Sequence, residues 1–120
     1  MTAGANGLRG LRIVTGCGRL LSGALAASEP SLRAWHWGPT DPSGFAALGV
    51  TEALMHTFDI TTGLGIAWQP PAALCTAVLA RLFPEAPGGD PVQNLLWSTG
   101  RADLPDRPRL TSWILRAAVE

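Results

Sequence analysis

Two Asp-Pro dipeptides, Asp41-Pro42 and Asp90-Pro91, do most to limit what this chain can fold into. An aspartate carboxylate can accept the free N–H groups of a first helical turn, and a following proline has the right φ with no N–H to satisfy. Each pair therefore marks a helix start. The first helix is expected over Pro42–Thr62, with Gly63 as its stop. The second Asp-Pro pair opens a helix running to Thr99, stopped by Gly100. Between them, "QPPAALCTAVLARLFP" reads as a helix opened by Pro70 and Pro71 and closed before Pro84. "LGIAW" and "PEAPGG" read as loops, and "RADLPDRPR" as a proline-broken one.

Upstream, Leu8, Leu11, Val14, Leu21 and Leu25 recur at helical spacing over Leu8–Ala27. Gly16, Gly18 and Gly23 weaken that helix by up to about 1 kcal/mol each relative to alanine. Alternation over Leu32–Gly38 suggests a short extended segment around Trp35–Trp37, ended by Pro39 and Pro42. The tail "LTSWILRAAVE" fits a short strand, placed beside Trp35–Trp37, although its end has helical composition. The expected fold is a single mainly all-α domain over residues 1–120, helices joined by short loops and packed as antiparallel neighbours in a partial up-down bundle.

Composition narrows the partners. Nine arginines balance nine carboxylates, there is no lysine, and no basic run or stripe exists, so nucleic-acid binding has no support. Charged residues are only 15% of the chain and apolar ones 47%. Either much of the surface is then poorly charged, or an apolar part of it is covered by a partner, as in a homodimer. No stretch reaches the roughly 20 apolar residues of a membrane span. Arg12 and Arg19 interrupt the N-terminal apolar run, so a cytoplasmic, non-membrane protein is expected. Cys17 and Cys75 lie far apart among apolar residues and read as two buried reduced thiols. Trp35, Trp37, Trp97 and Trp113 read as core and interface packing.

The candidate chemistry lies in "TEALMHTFDI". Phe45, Leu48, Gly49, Glu52, Met55, His56 and Asp59 share one stripe of the Pro42–Thr62 helix. Its large apolar members suggest that the stripe faces the interior. Glu52 and His56 are then either a mutually satisfied polar pair or two ligands of a divalent metal, carboxylate and imidazole both suiting zinc. Asp59, one turn on, would orient a ligand from behind or close an ion pair. Arg101 reads either as a contact for a substrate carboxylate or as a cation at a helix C-terminus. Trp68 either lines a pocket mouth or covers a helix end.

The blocks "GFAALGVTEALMHTFDITTGLGIAWQPP", "ARLFPEAP" and "LLWSTGRADLP" resemble the mycothiol-dependent maleylpyruvate isomerase family, within the DinB/YfiT-like metal-binding four-helix bundles of high-GC actinobacteria. The likeness runs from about Trp35 to Trp113. It implies a metal, zinc by preference, held by three side chains, of which Glu52 and His56 match the two on one helix. It implies mycothiol as thiol cosubstrate and a small-molecule substrate: the thiol adds to maleylpyruvate, a bond rotates, and fumarylpyruvate leaves. The family's third ligand is a histidine on an earlier helix. This chain has only His36 and His56, and nothing before Trp35 resembles that helix. The expectation is therefore a chain lacking the N-terminal part of the fold and inactive alone, unless His36 or a second copy completes the site. The alternative from another class is a non-catalytic helical interaction or scaffold domain that dimerises through its apolar bundle face.

Overall fold

The computed structural model describes residues 2–120, with side chains from residue 4 onward. It is a mainly helical bundle: α1 (Thr2–Ala27), a hairpin of β1 (Ala34–Trp35) and β2 (Pro39–Thr40), α2 (Pro42–Gly63), α3 (Ala72–Leu82) and α4 (Pro91–Ser98). Both Asp-Pro starts are as expected. Asp41 accepts the Gly44 N–H at 2.8 Å, and Asp90 accepts the Gln93 N–H at 2.8 Å. Two ends shift by a few residues. The helix after Pro70-Pro71 begins only at Ala72, because both prolines lie in the extended lead-in. Gly63 is the last residue of α2, and the left-handed turn falls at Gly65, with φ +69°.

The core is built where α2, α3 and α4 meet. Leu54 and Met55 of α2 pack with Cys75, Val78 and Leu82 of α3 and with Val92, Leu95 and Leu96 of α4. Phe83 and Ala117 complete it. At about 25 cal/mol per Å², each fully covered aliphatic side chain contributes roughly 1.5–3 kcal/mol. This cluster is therefore what holds the bundle together.

The tail is not a strand. One antiparallel bridge links Thr40 to Ala118, and Val119 N–H donates to Pro39 O at 2.7 Å. The tail thus lies beside the hairpin, as expected, but β2 is only two residues long and the Arg116 N–H is given to Leu82 O, so no longer ladder forms. Arg81, the one charged residue in "AALCTAVLARL", clasps these parts together. It donates to Asp41 Oδ1 at 2.7 Å, Ala117 O at 2.7 Å, Arg116 O at 3.0 Å and Ser43 Oγ at 3.2 Å.

Three packing expectations need correction. Cys75 is buried and reduced, but Cys17 is an exposed free thiol, because α1 touches the body only near its C-terminal end. Trp35, on β1, and Trp37, in the turn that follows it, are 80% and 89% exposed, and they are not core residues. Trp113 is exposed on the tail, while Trp97 is half-buried and donates from Nε1 to Pro108 O at 3.0 Å.

Candidate metal half-site

α2 turns its apolar face, Thr51, Leu54 and Met55, into the core. At about 100° per residue, Glu52 and His56 lie roughly 110–150° round from the middle of that face. Both side chains are 69% exposed. The stripe expected to face the interior is therefore divided. Met55 goes in, while Glu52, His56 and Asp59 stay in solvent. The physical reason is the cost of desolvating two carboxylates and an imidazole where few partners exist.

Within the stripe the polar groups form two units. Glu52 Oε2 and His56 Nε2 are 2.9 Å apart, close enough for an Nε2–H donated to the carboxylate. Two donors bound to one tetrahedral zinc at about 2.0–2.1 Å stand about 3.3 Å apart. The pair therefore needs only a few tenths of an ångström of opening, and loss of that proton, to accept a metal. The residues present fit two positions of a zinc coordination sphere.

One turn on, Asp59 is bound two-fold by Arg101, Nε to Oδ1 at 2.8 Å and Nη2 to Oδ2 at 2.7 Å. The hydrogen bonds from Arg101 hold the Asp59 carboxyl below its ordinary range against the opposing effect of burial, and the charges of Arg101 and His56 assist. The guanidinium is held charged in return, first by its Asp59 hydrogen bonds. Its Nη1 donates to Thr99 O at 2.9 Å, so Arg101 also closes the end of α4. The structure thus gives Arg101 both an acidic partner and the helix C-terminal role. Trp68 is half-buried against the core.

His36 does not reach this pair. Its ring meets Phe45 edge-on, with centroids 6.4 Å apart, near the start of α2. Phe45 lies about 10 Å along the helix axis from Glu52 and about 16 Å from His56. Among the described residues no three His, Cys, Asp or Glu side chains converge on one metal position. Sequence reasoning had not singled out Arg81, although a lone arginine in an apolar helix was a usable signal.

No helix among the described residues is long and apolar enough to cross a membrane. No protein-family model, curated protein or solved structure matches the chain.

Proposed function

We propose that this protein binds a divalent metal, zinc by preference, through Glu52 and His56, and that it belongs with the mycothiol-dependent maleylpyruvate isomerases. The observation that carries the reading is the 2.9 Å approach of carboxylate and imidazole on an open helix face. The E-x-x-x-H-x-x-D pattern and the "LLWSTGRADLP" block support the family assignment. A bound zinc would supply Lewis acidity, which favours the thiolate form of a coordinated thiol at neutral pH. The chain's own residues have simpler tasks. Glu52 and His56 would hold the ion, His56 through a ring nitrogen that carries no proton. The Asp59–Arg101 unit fixes the end of α2 against the segment after α4. The reaction class is isomerisation or thiol transfer on a small unsaturated acid.

Zinc content of the purified protein, for wild type and for Glu52→Ala and His56→Ala, tests the site. Both residues are exposed, so the fold should survive either change. One zinc per chain in wild type and none in either variant is expected. Wild type without stoichiometric metal would refute the reading.

A second reading rests on a different observation: Leu8, Leu11, Ile13, Val14 and Leu20 of α1 are all more than 60% exposed. In that reading the chain is a non-catalytic helical domain that pairs with a second copy through α1. Sedimentation equilibrium separates the two. A metal-free dimer that dissociates on Leu11→Asp favours pairing, and a monomer at all concentrations excludes it.

A further inference from the structure

We propose that two copies of this chain pair by seating the apolar side of each α1 in the groove between α2 and α3 of the other. The inference rests on the pairing reading above and names the surface that receives α1.

Surface area carries it. A compact monomer of 12.6 kDa exposes about 6,200 Å². This chain exposes 8313 Å², about 2,100 Å² more. Its radius of gyration is 16.2 Å, against about 13.6 Å for a compact chain of this length. Obligate homodimers bury about 1,000–2,500 Å² on each partner, so the excess is what one such interface covers.

α1 is the source of the excess. Residues 4–24 are all exposed. The helix meets the body only at its C-terminal end, where Leu25 and Ser28 share a small cavity with Pro42 and Phe45 and Leu21 Cδ2 lies 3.6 Å from where a Cβ on Gly49 would stand. Six glycines lower its helical preference, and helices in water draw most of their stability from packing. A helix of this composition needs its apolar side covered. Leu11, Val14, Leu21 and Leu25 follow one another at helical spacing along that side. Arg9, Arg12 and Arg19 lie about 120–160° round from its middle, so covering it buries no charge.

The α2–α3 groove is the matching surface. It measures about 310 Å³ and is lined by Ala46, Ala47, Val50, Leu74, Ala77 and Val78. Its only polar walls are Ser43 and Arg81, and Arg81 is already bound to Asp41. Amphipathic helices seat in such grooves through apolar side chains at i, i+3, i+4 and i+7. The groove begins beside the root of α1, because Ala46 and Val50 directly follow Phe45 and Gly49, the α2 positions that α1 approaches. Each copy thus carries a helix to give and a groove to receive one, and reciprocal exchange about a two-fold axis closes at two chains. Charge assists the approach. α1 has three arginines and no carboxylate, whereas α2 has Glu52 and Asp59 and no arginine.

Sedimentation equilibrium of the full chain, with one variant on each surface, tests the assignment. Val14→Asp lies on α1 and Ala77→Asp in the groove, and both positions are exposed, so the helical content of each variant should match wild type by circular dichroism. Wild type should dimerise. Each variant should weaken the dimer at least about thirtyfold, the effect of losing one hot-spot contact. Hydrogen exchange should slow in α1 and around Ala77 together as concentration rises. Trypsin should cut Arg9, Arg12 and Arg19 rapidly in dilute protein and slowly once the dimer forms. A dimer that Val14→Asp dissociates and Ala77→Asp leaves intact overturns the groove and leaves pairing through α1 standing. A monomer at all concentrations overturns both. Open-ended oligomers overturn the two-fold exchange.

Discussion

Arg81→Met should be the most damaging single charge removal in the bundle. The guanidinium bonds Asp41, Ser43 and the carbonyls of Arg116 and Ala117 together. Methionine keeps the apolar stem but leaves both carbonyls and the Asp41 carboxylate without that partner. An abandoned buried polar group costs about 1–3 kcal/mol. The Arg81 and Asp41 side chains are 24% and 23% exposed, so water recovers part of the loss. A net cost of about 2–3 kcal/mol is expected, a large share of the roughly 5–15 kcal/mol available to a domain. In urea the midpoint should fall by about 2 M at an m value of about 1–1.5 kcal/mol/M. Asp41→Asn isolates the charge, because asparagine still caps the helix.

The pH dependence of this penalty has a defined sign. Burial alone would raise the Asp41 pKa, but the hydrogen bonds from Arg81, Gly44 N–H and Ser43 together hold it below its ordinary value. A depressed carboxylate contributes stability above its unfolded pKa, and that contribution is lost as pH falls through the folded value. The cost of Arg81→Met should therefore shrink in acid, though not to zero, since the carbonyl bonds remain. A midpoint shift worth less than about 0.5 kcal/mol at neutral pH, within the scatter of ordinary surface changes, would refute the argument. A shift that is equal at both pH values would refute it too.

Three further outcomes follow from the same geometry. A double-mutant cycle on Asp59→Asn and Arg101→Gln should give about 1 kcal/mol of coupling at neutral pH, the upper end for a partly exposed pair because its geometry is two-fold; unlike the Arg81 penalty, which only shrinks, it should vanish as pH falls through the lowered Asp59 pKa. Gly100→Ala should cost more than about 1 kcal/mol, read by thermal melting, because its φ of +70° disfavours a side chain and a Cβ would come within 2.6 Å of the Trp113 ring. Limited trypsin digestion of the metal-free protein should cut at Arg9, Arg12 and Arg19 well before Arg81, since α1 has little tertiary support; equal rates would show that α1 is held as firmly as the bundle.

The helices were legible because their starts are local chemistry. Asp41-Pro42 and Asp90-Pro91 carry their own cap acceptor and φ, and need nothing from the rest of the chain. The direction of the Glu52–His56 stripe was not legible in the same way. Met55 lies beside it and is buried, so periodicity alone could not say whether the interior began at Met55 or included His56. Only the placement of α3 and α4 against Leu54 and Met55 decides that. Cys17 failed as a core residue for a related reason. Helical spacing marks an apolar stripe, but not whether another element arrives to cover it. The hydrogen bonds of Arg81 span nearly forty residues, a distance over which sequence spacing carries no signal.

The bridge between Thr40 and Ala118 also orders events in time. Thr40 is almost wholly buried, yet the segment that covers it comes after all of α2, α3 and α4 in the chain. Contacts from α2 to α3 and from α3 to α4 are local and can form while synthesis continues. The hairpin edge, the Gly38 turn against Ala118 and two of the four Arg81 bonds wait for residues 116–119. A nascent chain that has made α2, α3 and α4 is therefore a formed three-helix core with an open latch, vulnerable on the hairpin side until residues 116–119 dock.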